Sequence, residues 1–498
     1  MPIAAIDMGS NSFRLEIGQL HSGRYKRIAY LKETVRLGAG LDGNGFLTEE
    51  AAQRGLECLQ GFAQQLQHFD PSRVRAVATQ TLREARNRDA FLERAQAALG
   101  FPIEVISGRE EARLIYGGVA RLQASPAKRL VIDIGGRSTE LILGQGRQVH
   151  AAESFQVGSV SLSMRFFANG QFTPQAFHEA QVAAGAEFEE GLELFARHLW
   201  VQALGSSGTA GAVSQVLAAN GVTNGDITPD GLRWCIKQCL NAGHVSRLNL
   251  AGLKEERGEV LAGGLSILYT LAMHFGIERL QSAKGALRQG VIFELDERLQ
   301  AQHASGKKTG SSSEHSPHDL REASVAAMQR RFSVDINQAQ RVQELALNLF
   351  ASVVPDAPHE LRQELAWAAA LHEVGMMISH HDYHRHSSYV VAHADVAGFS
   401  QSQLRRIADL ILGQRGGLRK LEPRLSEESF QWQLLCLRLA AIKCHARGAI
   451  DRTALDLQCQ GKRALLVCTS DLPRTLYLLK LECEAWERGG SIELVLQS

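Results

Sequence analysis

Neither sign of charge predominates in this chain. Against 54 Lys and Arg stand 53 Asp and Glu, a formal net charge of +1. A global basic field for nucleic acid or an anionic surface is therefore excluded, and any polyanion site has to be a local patch. Long apolar runs are missing too. None reaches the roughly 18–20 residues that span a bilayer, so membrane contact is expected to be peripheral at most. Cysteine is scarce, 8 in 498 residues. No CxxC occurs, and the nearest pair, Cys235 and Cys239, is one helical turn apart. That excludes a disulfide scaffold and points to a reduced, cytoplasmic protein. The N-terminus MPIAAIDMGSNS has no basic stretch followed by an apolar one, so no secretory signal is read there.

What is present is ordinary globular composition, 45% hydrophobic and 21% charged. The length suggests about three or four domains. Strand and helix patterns alternate first: strands at Ile3–Ile6, Phe13–Ile17, Val74–Ala78 and Ile103–Ile106, helices at Thr48–His68, Asp89–Leu99 and Glu110–Leu122. Near residue 125 the pattern restarts. Strands Leu130–Ile134 and Glu140–Leu143 precede helices Gln175–His198, Gly208–Asn220, Glu256–Phe275 and Leu287–Leu299, with a glycine-rich segment at Ala203–Ala210. This punctuation is that of an α/β protein. Residues 301–318 have linker composition. Helical patterns fill 319–450, as in Ala339–Phe350 and Leu361–Ile378. The last part, 451–498, returns to short strands, Ala464–Cys468 and Ile492–Leu496, around a helix Leu476–Glu487.

One stretch is repeated. Ala5–Gly18 reads AIDMGSNSFRLEIG and Val131–Gly144 reads VIDIGGRSTELILG, with Ile, Asp, Gly, Ser, Leu and Gly in register. Each copy is a strand ending near an Asp, a Gly/Ser turn and a returning strand. Turn amides cradle anions, and a strand-end carboxylate serves a metal–phosphate pair. Two such hairpins facing each other would hold a polyphosphate between them.

The duplicated hairpins resemble the actin-like ATPase superfamily, in which two lobes close on a phosphate tail. The words AAIDMGSNSFRL, ATQTLREA, ISGREEARLIYGGVA, LVIDIGGRSTEL, LGSSGTA and GALRQGV resemble, in that order, motifs of the exopolyphosphatase / guanosine pentaphosphate phosphohydrolase family. AALHEVGMMISHHDYHRHSSYVV is similar to its helical domain. The long form, with its C-terminal half, looks more like the exopolyphosphatases and pentaphosphate hydrolases of proteobacteria than like the short two-domain members. The resemblance implies an α/β fold with a duplicated, ribonuclease H-like core of two lobes, 1–124 and 125–300. An all-α HD-like domain, 319–450, and a small α+β domain, 451–498, would follow the linker at 301–318.

It also implies roles. Glu111 matches the catalytic glutamate, a carboxylate that orients or deprotonates the attacking water. Asp133 matches a magnesium-associated aspartate, with Asp7 and Glu140 as secondary candidates. Gly9, Ser10, Asn11 and Ser12 match a first phosphate loop, Gly135, Gly136 and Ser138 a second, and Gly205, Ser206, Ser207, Gly208 and Thr209 a third, before a helix whose N-terminus favours anions. Arg83 matches a phosphate-binding arginine. Three departures stand out. Arg137 replaces a glycine in the second loop, and the repeat logic places it facing the phosphates. Gln289 stands where a glutamate is usual, and Gly211 where some exopolyphosphatases carry a lysine.

Six histidines lie between His372 and His393, but the HD position offers His372-Glu373 in place of a His-Asp pair. These histidines are read as packing and surface residues. Arg405, Arg406, Arg415, Arg419, Lys420 and Arg424 form a local basic stripe that could grip a long phosphate chain. The expected protein is thus an Mg²⁺-dependent hydrolase of inorganic polyphosphate, a homodimer without a nucleic-acid partner. Same-site conversion of guanosine pentaphosphate to tetraphosphate, a non-catalytic phosphate or nucleotide sensor, and an actin-like kinase are the alternatives. The retained Glu111 favours hydrolysis over sensing, and the lack of a recognisable acceptor site disfavours the kinase.

Overall fold

The computed structural model describes residues 1–21, 23–305, 319–447, 455–461, 463–468 and 473–497. The chain forms two compact units, Met1–Asp319 and Leu320–Ser498.

The first unit holds two five-stranded sheets. One contains β1 (Ile3–Met8), β2 (Phe13–His21), β3 (Arg24–Glu33), β4 (Val74–Ala78) and β5 (Ile103–Val105) in the order β3-β2-β1-β4-β5. The other contains β6 (Lys128–Ile134), β7 (Thr139–Gln145), β8 (Gln148–Phe155), β9 (Gln202–Gly205) and β10 (Leu280–Ser282) in the order β8-β7-β6-β9-β10. Connectivity is the same in both: a meander of three antiparallel strands, then two strands parallel to the first. The sequence repeat is therefore a structural duplication, the core of the actin-like fold. In register, Asp7 lies opposite Arg14 and Asp133 opposite Glu140.

Central strands read as continuous apolar runs because both faces are covered, as in fully buried β1 and β4. The unit's helices are α1 (Glu49–Gln65), α2 (Gln80–Glu84), α3 (Arg88–Leu99), α4 (Gly108–Leu122), α5 (Ser159–Phe166), α6 (Pro174–Phe188), α7 (Gly208–Ala219), α8 (Pro229–Ala242), α9 (Gly258–His274) and α10 (Leu287–Ser305). The expected helix Gln175–His198 ends early, at Phe188, and two short 3₁₀ turns follow, Glu189–Gly191 and Arg197–Leu199. The glycine-rich segment at 203–210 divides into β9 and the first turn of α7. Helix α10 runs to Ser305, past the expected start of the linker, and the remainder, 306–318, lies outside the described residues. Cys235 and Cys239 on α8 are free thiols that burial pushes up to about 12.

Helices α4 and α10 pack between the sheets. Ile115 and Val119 of α4 and Val291 and Ile292 of α10 share a core with Ala5, Val77, Val131, Ile142 and Leu204 from both sheets. Glycines let the two backbones touch. A Cβ on Gly290 would lie 1.8 Å from the Leu114 carbonyl oxygen, and one on Gly118 2.4 Å from that of Ala286.

In the second unit, helices Leu320–Arg331, Ile336–Val353, His359–Leu371, Tyr383–Ala392, Gln401–Gly413 and Glu428–Lys443 precede a three-stranded sheet, β11 (Leu455–Gln460), β12 (Arg463–Cys468) and β13 (Glu493–Gln497), with helix Pro473–Gly489. Helices and sheet share one core, with Leu349, Trp367 and Leu435 beside Leu457, Leu466 and Trp486. Arg438 ties helix Glu428–Lys443 to Pro473–Gly489 by donating to Glu482 at 2.7 Å. The expected boundary at 450 falls on residues 448–454, outside those described. The expected helix Leu361–Ile378 breaks after Leu371, and Gly375 packs against the next helix so closely that a Cβ would lie 2.3 Å from the Ser387 nitrogen. Among the described residues no helix is long and apolar enough to cross a membrane.

Candidate active site

The two repeat hairpins turn toward each other across a cleft of about 320 Å³. Its lining gathers Gly9, Ser10, Asn11 and Ser12 from the β1–β2 turn, Gly135, Gly136 and Ser138 from the β6–β7 turn, and Ser206, Ser207, Gly208 and Thr209 from the third loop. The turns are buttressed from behind. The carbonyls of Ser10 and Asn11 accept from Gly38 and Arg36 at 2.7 and 2.9 Å, and those of Gly135 and Gly136 from Ser159 and Val160 at 3.0 and 2.8 Å. These carbonyl oxygens, which would repel an anion, are thus already engaged. Gly136 brings the loops together: a Cβ there would stand 3.1 Å from the Ser10 Cβ. The third loop is tied to the second by Thr209, whose hydroxyl donates to the Ile134 carbonyl at 3.1 Å. Ser207 then caps α7 by accepting from the Ala210 nitrogen. The buried Ser12 hydroxyl finds no hydrogen-bond partner among the described residues, which leaves it free to bond a water, an ion or a ligand in the cleft.

Asp7, Glu111 and Asp133 also line the cleft. Glu111 sits in the first turn of α4, which Ser107 caps by accepting from the Glu110 nitrogen at 3.2 Å. Burial raises its carboxyl to about 7, Arg83 opposes the shift, and the charges of Asp7 and Asp133 add to it. Burial likewise brings Asp133 up to about 6, against Ser206 and Arg14. Glu140 stands behind the lining. Burial, then Glu111 and Asp133, hold its carboxyl well above the usual range, and Ser154 donates to it at 2.8 Å. Among the described residues no three His, Cys, Asp or Glu side chains form a ready metal cage. The donor set suits instead a hard divalent cation that would be held by one or two of these carboxylates, Asp133 and Asp7.

Arg83, Arg137 and Gly205 are not in the lining. Arg83 turns to Glu111, donating to Oε2 at 2.8 Å. Gly205 ends β9, where a Cβ would meet Ala210 at 2.6 Å. Arg137 was expected to face the phosphates. Its guanidinium instead reaches Glu84 at 2.6 Å and the Gly38 carbonyl at 3.2 Å, because the β6–β7 turn sets it beside the first half of the unit.

The cations that do line the cleft are Arg14, Lys32, Arg257 and Arg288. Sequence reasoning assigned none of them. Arg14 and Arg288 lie 3.2 and 3.4 Å from Asp7 Oδ2, and both fall inside quoted motifs, which is the signal that could have found them. Gln289, beside Arg288, donates to the buried Glu16 at 2.6 Å, a bond an ionised glutamate could not give. Nothing lies within 4 Å of a Cβ built on Gly211.

In the second unit, Arg406 is taken up by Glu364 at 2.8 Å and by Glu427, and Arg424 by Asp409 at 2.9 Å and Glu427 at 3.0 Å. Arg405 is half-buried, while Arg415, Arg419 and Lys420 are exposed. His372 is buried, its Nδ1 donating to the Ala369 carbonyl at 2.7 Å, and Glu373 pairs with Arg447 at 2.7 Å. Burial lowers His372, and His384 to about 4.

Comparison with known proteins fits this architecture. An exopolyphosphatase from Cytophaga hutchinsonii is 26% identical, superposes with a TM-score of 0.54, and covers 59% of this chain and 98% of its own. The Ppx/GppA family member from Aquifex aeolicus is 26% identical with a TM-score of 0.50, over 61% and 99% of the two chains. The Ppx/GppA phosphatase family signature matches residues 17–299, and the signature of domain III of Ppx/GppA phosphatases matches 320–482. With both units matched, the chain belongs to the Ppx/GppA phosphatase family and is a hydrolase acting on phosphoanhydride bonds.

Proposed function

We propose that the protein is an exopolyphosphatase that removes the terminal phosphate of inorganic polyphosphate with Mg²⁺. The observation that carries this reading is the cleft itself: two facing Gly/Ser turns, a third at a helix N-terminus, four cations and one glutamate between them. The likeness to the Cytophaga hutchinsonii exopolyphosphatase supports it. A phosphate tail would lie between the turns, its oxygens on Ser10, Asn11, Ser12, Ser138 and Ser207, with Arg14, Lys32, Arg257 and Arg288 offsetting its charge. Glu111 accepts the proton of the water that attacks the terminal phosphorus, and Arg83 holds the carboxylate in place. The shortened chain leaves as the departing phosphate oxygen. Asp133, with Asp7 beside it, would hold Mg²⁺, which when bound neutralises charge on the phosphoryl group. Glu140 shapes that corner from behind.

Phosphate release measured side by side on long polyphosphate and on guanosine pentaphosphate tests the substrate. Faster turnover on polyphosphate is expected, and cleavage of the nucleotide alone would overturn the choice.

A further inference from the structure

Arg137 occupies the position that Asn11 holds in the first repeat, yet the two side chains part. Asn11 lines the cleft. Arg137 crosses to the first half of the unit, its Nε donating to Glu84 Oε2 at 2.9 Å. The path is cleared by glycine: a Cβ on Gly158 would lie 2.3 Å from the Arg137 nitrogen, and one on Gly38 2.9 Å from its Cδ. Glu84 uses its other oxygen to accept from the Gln80 amide nitrogen at 2.6 Å. The Gln80 carbonyl oxygen accepts from two Arg83 nitrogens at 2.9 and 2.6 Å. The remaining Arg83 nitrogen donates to Glu111 Oε2 at 2.8 Å and to the Ile106 carbonyl at 3.0 Å.

The chain Arg137–Glu84–Gln80–Arg83–Glu111 is unbroken and allows one assignment of donors and acceptors. Guanidinium only donates and carboxylate only accepts. Gln80 must therefore present its nitrogen to Glu84 and its oxygen to Arg83. A flipped amide would set nitrogen against guanidinium and oxygen against carboxylate. Each link thus fixes the rotamer of the next. Removing the charge at either end of such a network loosens the middle, since its members are satisfied together.

We propose that Arg137 is a positioning residue that holds Glu111 in its working orientation through Glu84, Gln80 and Arg83. It belongs to the second phosphate loop, whereas Glu84 belongs to α2 beside the first sheet. The hold therefore joins the second phosphate loop, across the cleft, to the helix that carries Glu84 and through it to the glutamate. The proposal rests on the reading of Glu111 as the group serving the attacking water.

The test is steady-state phosphate release from polyphosphate by Arg137→Ala, Glu84→Gln, their double variant and Arg137→Lys, with thermal denaturation of each. Misplacing a reacting group by an ångström costs up to about a hundredfold. Both single variants should therefore lose about tenfold or more in kcat, with KM held within about twofold. The double variant should be no worse than the poorer single, because both cut the same chain. Arg137→Lys, which can still reach Glu84 with one nitrogen, should recover part of kcat. A raised KM with kcat intact would make Arg137 a phosphate contact and overturn the proposal. So would fully additive losses, or a lowered Tm with kcat unchanged. A wild-type protein inert on polyphosphate and on guanosine pentaphosphate overturns the hydrolase reading and this one with it. An active wild type matched by Arg137→Ala overturns this one alone.

Discussion

Opposed influences set the proton on Glu111, burial and the charges of Asp7 and Asp133 on one side and Arg83 on the other. Burial favours the neutral acid, and the Arg83 guanidinium at 2.8 Å favours the carboxylate. The result, about 7, places the group where a general base works best. A raised carboxyl keeps its proton to higher pH, so the active form is lost as pH falls. Plots of log kcat/KM against pH should drop below about 7. Replacing Arg83 by Gln removes the influence that lowers the carboxyl, so the limb should move to higher pH; an unmoved limb would reassign it. Glu111→Gln should lose at least about two orders of magnitude in kcat while still binding polyphosphate. Asp133 follows the same sign. Burial keeps its proton on until about 6, and an ion must displace that proton to bind. The Mg²⁺ concentration for half-maximal activity should rise as pH falls through 6, and Asp133→Asn should raise it sharply at every pH. A Mg²⁺ titration indifferent to that substitution removes the assignment.

At the scale of elements, the cleft depends on how α4 meets α10. Glu111 opens one helix and Arg288 the other, and the backbones touch at Gly290 and Gly118. In Gly290→Ala the new methyl would meet the Leu114 carbonyl, so the helices must part. Overpacking of this kind costs about 1–3 kcal/mol, and kcat should fall with Tm because α4 carries Glu111. Gly117 is the control. Nothing lies within 4 Å of a Cβ there, so Gly117→Ala should leave activity intact and stabilise by roughly 0.5–1 kcal/mol. Equal effects from the two substitutions would deny the contact its role. The same scale explains what the sequence disclosed. Buried strands such as β1 and β4, and helices with one apolar face such as α1, carry their own period. Strands β3 and β8 do not: they lie at sheet edges, β3 mostly exposed and β8 mostly half-buried, without a clean alternation. Strand β9 was hidden because its final glycine runs into the third loop. The repeated hairpin made the loops legible, since local sequence builds a turn. Lys32 and Arg257 were not legible, because only the tertiary fold brings them to the cleft from β3 and from the start of α9. The direction of Arg137 was missed for a related reason, as its partners Glu84 and Gly38 lie about a hundred residues or less upstream in another part of the fold.

At the scale of the whole molecule, the proposed function assigns hydrolysis to the first unit and a grip on long chains to the second. Every residue given a chemical role lies in Met1–Asp319, and the basic stripe lies in Leu320–Ser498. The stripe is not uniform. Arg406 and Arg424 are consumed by Glu364, Asp409 and Glu427, so they hold their own unit together. Arg415, Arg419 and Lys420 are exposed, although the Lys420 amine donates to the Arg415 carbonyl at 2.6 Å and burial lowers its pKa to about 8. Neutralising Arg415, Arg419 and Lys420 to Gln should therefore leave Tm and the cleavage of short polyphosphate near wild type. It should weaken affinity and processivity on long chains, whose many charges meet an exposed cationic patch. High salt on the unaltered protein should mimic the loss, because screening weakens contacts between exposed charges. Arg406→Gln should behave in the opposite way, lowering Tm by stranding the buried Glu364 while sparing processivity in whatever remains folded. Chain-length series on both variants, read at low and high salt, separate the two. If long chains are held as tightly without the exposed cations as with them, the second unit is no polyphosphate clamp, and the charge that retains the substrate must then come from the cleft cations of the first.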